Sequence, residues 1–432
     1  MTVSELYLRY LRCTGITTDT RTCTPGSMFI ALRGTSFDGN KFAAQALQAG
    51  CAYAVVDNPA YAVAGDDRYL PTENSLLTLQ ALARHHRRQM PATVLGITGT
   101  NGKTTTKELI AAVLSQRYSV LYTEGNLNNH IGVPLTLLRL RPTHEFAVVE
   151  MGANHPGEIK TLCEIAEPDC GLITNVGKAH LEGFGSLKGV IRTKGELYDF
   201  LRKRPESVVF LNQDDTTLPS LAEHIRQITY GKTTNALVNG DIVVGSPNLS
   251  FNWQIGAHGM VHPVETRLIG AYNLMNALAA AAVGTFFQVS PEQIGKALTD
   301  YAPTNNRSQL LHTGSNTLIV DTYNANPTSM QASVEHFLHM DAANKLLILG
   351  DMLELGAESA SEHGSVIRSL QAHTDIKVIL VGNQFAAIAS PFKTYRTTDE
   401  LIADLKAHKP MGHTILLKGS HGIRLEKLIP YL

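Results

Sequence analysis

The chain is poor in cysteine, free of long apolar runs and without an excess of either charge. Its five cysteines, Cys13, Cys23, Cys51, Cys163 and Cys170, are odd in number, widely spaced and never form CxxC. That argues against a disulfide scaffold or a thiolate zinc site, and for reduced thiols in a cytoplasmic compartment. The longest apolar-looking stretch, 277–287, is too short to span a bilayer and is mostly alanine. It reads as a close-packed buried helix. The start, MTVSELYLRYLRCTG, has no long apolar core and so is not a signal peptide. Lys plus Arg total 37 against 38 Asp plus Glu, a formal charge of -1. Such a balance gives no support for a nucleic-acid or anionic-membrane partner. No internal repeat or low-complexity tract is present, and no obligate protein partner is implied.

What is present is α/β texture on a scale of several domains. The 432 residues exceed one ordinary core. MFIALRG (28–34) and YAVVD (53–57) read as strands and KFAAQALQAG (41–50) as a helix. SLLTLQALARHHRRQ (75–89) has helical period, with Leu76, Leu77, Leu79 and Leu82 as its apolar stripe. Pro91 ends it. The buried-strand candidates ATVLGIT (92–98), FAVVEM (146–151), GLITNV (171–176) and SVVFLN (207–212) alternate with helices, including one from Lys103 to Gln116. This spacing predicts a mostly parallel sheet. From Gly240 to Gly270 the texture changes to short alternating segments, consistent with antiparallel strands or an insert. A helix from Tyr272 to Val283 follows. TLIVD (317–321), KLLILG (345–350), VILVGN (378–383) and HTILLKG (413–419) predict a second, doubly wound sheet. The expected domains are 1–90, a small α/β unit; 91–306, a central nucleotide-binding domain; and 307–432, a Rossmann-like domain.

GITGTNGKTTTKE (96–108) resembles a phosphate-binding loop with displaced spacing. The strict pattern places a glycine where Ile97 stands. The setting nevertheless suits phosphate: a strand ends near Thr98, a glycine-rich turn follows, and a helix starts near Lys103. The free N–H groups and dipole of a helix start favour anions. Gly99 and Gly102 permit close backbone approach, Lys103 reaches the outer phosphates, and Thr104 stands at the Mg²⁺-binding hydroxyl position. The alternative is an ordinary turn with a solvated lysine. Glu150 ends a buried strand at the sheet edge where ligands bind, so it is a candidate Mg²⁺ ligand; otherwise it is a solvated loop residue. His180 follows another strand end and is a weaker candidate. GNLNNHIGVP (125–134) offers Asn126, Asn128 and Asn129 for polar recognition, or for a self-bonded turn cluster.

With these motifs stand VEMGANHPGEI (149–159), VDTYNANP (320–327), GDMLELG (350–356) and KGSHG (418–422). Together they resemble the ATP-dependent Mur ligase family over essentially the whole chain. In that family the loop typically reads TGTNGKTT, so the resemblance makes the displaced glycine a family form. VDTYNANP is similar to the member that adds D-alanyl-D-alanine to UDP-N-acetylmuramoyl-tripeptide; other members commonly carry Tyr-Ala-His-x-Pro after the aspartate. No DNPR-type signature of a diamino-acid-adding member is present. Folylpolyglutamate synthetase is a more distant relative and lacks an equivalent first domain.

The resemblance implies an acyl-phosphate mechanism in peptidoglycan precursor synthesis, with ATP and Mg²⁺. It assigns Lys103, Glu150, His180 and Lys194 to catalysis. Thr104, Glu150, His180 and Lys194 fall at the metal, with Lys194 carrying a carbamate; read alone, Lys194 is a surface helix lysine. ATP contacts fall on Gly99, Thr100, Asn101, Gly102, Lys103, Thr104 and Thr105, and on Asn273, Arg307 and Asp321. Substrate contacts fall on Thr20, Arg21, Asn126, Asn128, Asn129, Tyr323 and Asn324. Tyr272 stands where histidine is commoner, Asn306 where glycine is usual, and Thr20 where serine is usual. A start close to residue 1 implies a shortened leading helix.

Overall fold

Short apolar runs bounded by glycine or polar turns form three separate sheets, and intervening helices cover them. The computed structural model describes residues 1–243, 248–303, 307–374 and 376–432. Asn306, and with it the expected boundary of the last domain, lies outside them. Among the described residues the first sheet has four parallel strands, in the order Ile16–Thr17, Met28–Ile30, Tyr53–Val56 and Tyr69–Pro71. The second has nine. Its parallel part runs Val238–Ile242, Arg226–Gly231, Val208–Asn212, Cys170–Ile173, Thr93–Thr98, Phe146–Glu150 and Val120–Tyr122. Asn248–Ile255 and His262–Ile269 add antiparallel beyond Val238–Ile242, so the altered texture after Gly240 extends the sheet's edge. The third sheet orders Gln309–His312, Thr317–Asp321, Thr414–Lys418, Lys345–Gly350, Lys377–Val381 and Lys393–Tyr395. Only its first strand is antiparallel. This is the expected three-domain α/β architecture.

The helix Ser75–Gln89 ends where Met90 turns extended, as a residue before proline tends to do. One detail of its expected stripe is wrong. Leu79 and Leu82 are buried, but Leu77 is 62% exposed. The inward face is Ser75, Leu79, Leu82, Ala83, His86 and Arg87, spaced by three and four residues. Leu77, two positions before Leu79, points nearly the opposite way. A leading helix does exist, Val3–Tyr10, closed by a capping box between Thr2 and Glu5. The alanine-rich helix is Leu274–Phe286; it is buried along most of its length and packs against Lys103–Leu114.

Two buried histidines tie elements together in the neutral form. His363 Nε2 accepts from the Met352 N–H at 3.0 Å, and its Nδ1–H donates to Ser359 O at 2.7 Å. His86 Nε2–H donates to Leu140 O at 3.0 Å, and Tyr7 Oη donates to Nδ1 at 3.2 Å. Burial, which penalises the imidazolium, holds both pKa values below the usual 6.5. The unfolded chain therefore binds protons first. These contributions are complete above the ordinary histidine pKa and fade as pH falls below it toward the lowered folded values. The melting midpoint should drop between about pH 7 and about pH 5.5, with a shallower slope in His86→Gln and His363→Gln. A wild-type midpoint flat across that range would contradict this account.

Candidate active site

The phosphate-like loop is a strand–turn–helix element, and its geometry explains the displaced glycine. Ile97 lies inside the strand Thr93–Thr98 and is fully buried, so an apolar side chain is what that slot requires. The left-handed position falls later, at Gly102, with φ 79°. A Cβ there would come within 2.5 Å of Asn276 Oδ1. Gly99, at φ 141°, also needs glycine's freedom. Gly102 caps Lys103–Leu114 without a side-chain bond, leaving first-turn amides facing the cavity. Lys103 Nζ bends back to donate to Gly99 O at 2.9 Å and Thr100 O at 3.0 Å. Burial lowers its pKa to about 8; Glu150 opposes this shift and Arg307 adds to it. The turn is thus built around a cation held over the loop, and the plain solvated-lysine alternative does not describe it.

At the neighbouring strand end, Glu150 is 1% exposed. Its Oε1 accepts from Asn128 Nδ2 at 2.8 Å. Its Oε2, like Thr104 Oγ1, is buried with no hydrogen-bond partner among the described residues. Two orphaned buried oxygens beside a phosphate loop are the donor set a hard cation takes. The other expected ligands are less ready. His180 has a left-handed backbone, φ 49°, and its Nδ1 faces the Glu354 carboxylate of the third domain. Among the described residues no three His, Cys, Asp or Glu side chains converge as a ready-made metal cluster.

Lys194 is not a surface lysine. It is 2% exposed, on the inner face of Leu187–Leu201 with Val190, Leu197, Tyr198 and Leu201. Its Nζ donates to Ala153 O at 3.4 Å and lies 5.3 Å from the Phe184 ring centroid. Burial, reinforced by the charge of Lys103, lowers its pKa to about 7. The signal was in the sequence: a lysine occupies an apolar stripe position at three- and four-residue spacing.

A cavity of about 940 Å³ opens over this loop, and third-domain residues close its far side. Thr100, Asn101, Thr105 and Lys103 reach it from the loop, whereas Gly99 and Thr104 lie beneath the surface. Arg307 stacks 3.8 Å from the Tyr323 ring centroid, and both line the cavity. Asp321 accepts from buried Lys418 Nζ at 2.5 Å and from Ser333 Oγ at 3.2 Å. Asn324 lines the cavity while its Oδ1 accepts from the Ala325 N–H. Asn273 donates to Ile269 O at 2.7 Å and accepts from Asn276 Nδ2 at 2.8 Å. Tyr272, at the position where the family more commonly has histidine, shares a 2.6 Å bond with Ser308 beside Arg307.

The asparagine-rich segment divides. Asn126 and Asn128 line the cavity, and Asn128 orients Glu150. Asn129 also lines it, yet its Oδ1 accepts from the Ile131 and Gly132 amides at 3.0 and 2.9 Å. Asn129 thus makes the turn bonds through Oδ1 while it still borders the cavity. Thr20 and Arg21 are not brought to this cavity; Arg21 pairs with Asp19 at 2.6 Å on the first domain's surface. Sequence reasoning missed Asn276, Asn326, Glu354 and Lys418. Asn326, Glu354 and Lys418 sit inside recognisable motifs, but no spacing rule shows which atoms meet.

Three family models cover the chain in order: "Mur ligase family, catalytic domain" at residues 12–87, "Mur ligase middle domain" at 97–284, and "Mur ligase, glutamate ligase domain" at 306–421. A Bacillus subtilis (strain 168) protein named UDP-N-acetylmuramoyl-tripeptide--D-alanyl-D-alanine ligase is 34% identical over 430 residues, spanning 96% of this chain and 92% of its own. The chain belongs to the Mur ligase family. An Escherichia coli (strain K12) Mur ligase of the same name is 36% identical over 430 residues, with the same coverage. Among solved structures, MurF from Acinetobacter baumannii superposes with a TM-score of 0.88 at 32% identity, covering 99% of this chain and 98% of its own. The MurF ligase from Thermotoga maritima in complex with ADP gives 0.85 at 26% identity, covering 98% and 97%.

Proposed function

We propose that this Mur ligase joins D-alanyl-D-alanine to UDP-N-acetylmuramoyl-tripeptide, driven by ATP, in peptidoglycan precursor synthesis. The observation that carries the reading is full-length similarity to ligases of that name, above 30% identity and through all three domains. The phosphate loop and the ADP-bound relative support ATP as the energy source.

The tripeptide's terminal carboxylate attacks the γ-phosphorus of ATP, giving an acyl phosphate and ADP. The neutral amine of D-alanyl-D-alanine then attacks the acyl carbon. The tetrahedral intermediate collapses, expels inorganic phosphate and leaves an amide. The first step joins two anions, so positive charge must be concentrated at the transferring group. Lys103, the first-turn amides of its helix and Arg307 are the chain's groups for that task. Thr104 Oγ1 and Glu150 Oε2 would hold Mg²⁺, joined by His180 through Nε2, and the ion would add charge at the phosphates. Lys194 would serve as a carbamate. Its burial favours the neutral amine that takes up CO₂, and the product exchanges a repelling ammonium for a negative group.

Asp321, Tyr323 and Asn324 would complete the site from the third domain and help exclude water from the acyl phosphate. Thr20 and Arg21 would hold the uridine nucleotide on the first domain, away from the phosphate cavity. The domain limits 1–90, 91–306 and 307–432 fit these three tasks. The substrates are cytoplasmic in this reading, and among the described residues no helix is long and apolar enough to cross a membrane.

The test is amine-dependent ADP release with UDP-N-acetylmuramoyl-tripeptide. D-alanyl-D-alanine should stimulate it and appear in the product; free D-alanine or glutamate should not. Absence of a dipeptide adduct, with another amine incorporated instead, would sink the substrate assignment while leaving a Mur ligase.

A further inference from the structure

The loop's Asn101 has a partner that the ligase chemistry above does not use. Its backbone is pinned to the central domain: the N–H donates to Asn175 Oδ1 at 3.0 Å, and the carbonyl accepts from Thr174 Oγ1 at 2.6 Å and Asn175 Nδ2 at 3.0 Å. The side chain is left to reach across to the third domain. There its Oδ1 accepts from Asn326 Nδ2 at 2.7 Å. Asn326 is 6% exposed and starts the thirteen-residue helix Pro327–His339. Its Oδ1 accepts from the Ser329 N–H at 2.9 Å, closing a capping box, and also, more weakly, from Asn101 Nδ2 at 3.4 Å, so the Nδ2 bond is the shorter link between the domains.

The surrounding seam is tight. Thr100 Oγ1 accepts from the Gly177 N–H at 3.0 Å, and a Cβ on Gly177 would stand 3.0 Å from Thr328 Oγ1. Loop, strand end and third-domain helix therefore meet at one point on the cavity wall. Elsewhere on the same domain boundary, Lys178 pairs with Glu362 at 2.7 Å, but that lysine is half exposed and its pair is screened by salt. The amide pair is part-buried, neutral and directional.

We propose that Asn326 is a positioning residue. Through Asn101 it couples the placement of the third domain to the geometry of the phosphate loop, so that the loop is set for phosphoryl transfer only when the third domain covers the site. The proposal rests on the ligase reading for its kinetic consequence, but not for its structural one.

Asn326→Ser separates the coupling from the helix cap. Serine caps a helix as well as asparagine does, yet it is too short to reach Asn101. Wild type, Asn326→Ser, Asn101→Ala and the double variant form a cycle. Each single variant should lose roughly three- to tenfold in kcat, the size of one intramolecular hydrogen bond, and consume more than one ATP per amide formed as acyl phosphate leaks to water. The double variant should lose no more than the worse single. The thermal transition of Asn326→Ser should stay in place.

Affinity for a non-hydrolysable ATP analogue, measured by calorimetry on the same four proteins, repeats the cycle without any ligation. The singles should weaken it and the double should not weaken it further. Wild-type kcat, stoichiometry and analogue affinity in Asn326→Ser would overturn the proposal, as would losses that multiply in the double variant. Coupled analogue binding in a wild-type chain that forms no amide would uphold the positioning role and overturn the ligase reading.

Discussion

Lys103→Ala should lower ATP-dependent ligation by about 10²–10³-fold, the usual cost of removing one preorganised charge from a transition state. The reason lies in where the ammonium sits. It is held by two loop carbonyls, Gly99 O and Thr100 O, over the turn that phosphates would enter. It is pre-placed, and little reorganisation precedes transfer. The loss should fall mainly on kcat, because charge on the transferring oxygens grows in the transition state, while the backbone amides still bind ground-state phosphate. A variant that raises only KM for ATP would make Lys103 a uniform binding group.

A second readout follows from the lowered pKa. Burial brings it to about 8, so near that pH a fraction of the free enzyme has a neutral Lys103. A bound polyphosphate favours the ammonium and raises the pKa again. ATP binding near pH 8 should therefore take up protons, and the uptake should vanish in Lys103→Ala. Calorimetry in buffers of different ionisation enthalpy reads this directly.

Lys194→Ala should reduce activity by about 10–100-fold, as loss of a group supporting a metal site does. Small carboxylic acids should restore part of it by occupying the vacated volume with a negative group. The side chain is fully enclosed, beside a ring and a carbonyl, with its pKa lowered to about 7. A buried ammonium there would repel a metal ion held by Glu150, whereas a carbamate would attract one. Lys194→Gln, similar in length and unable to take up CO₂, should be as impaired as the alanine variant and less open to rescue. Full activity of Lys194→Ala without added acid would remove the residue from the mechanism.

Segments whose signal is local are legible in the chain's own pattern. TLIVD and KLLILG form strands over the residues read from them, because a continuous apolar run between polar turns has few other ways to hide its backbone. The helix at 75–89 is legible too, but the outward turn of Leu77 is not. Its pattern leaves more than one apolar stripe open, and the elements packed against it choose between them. The phosphate loop is readable from its strand–glycine–helix order, since left-handed φ and free helix-start amides are properties of a few consecutive residues. That Asn129 Oδ1 takes the Ile131 and Gly132 amides is visible only once those amides are placed.

The amino-acid order thus suffices for the three-part α/β layout, the phosphate turn and, through its motifs, the family. Those rest on periodicity, local backbone preference and short spacings. Packing between distant segments settles the rest: that His180 turns toward Glu354, and that Asn101 meets Asn326 across 225 positions of chain. Such contacts follow from how separate domains fit together, and their hydrogen-bond geometry is not encoded in the neighbours of any one residue.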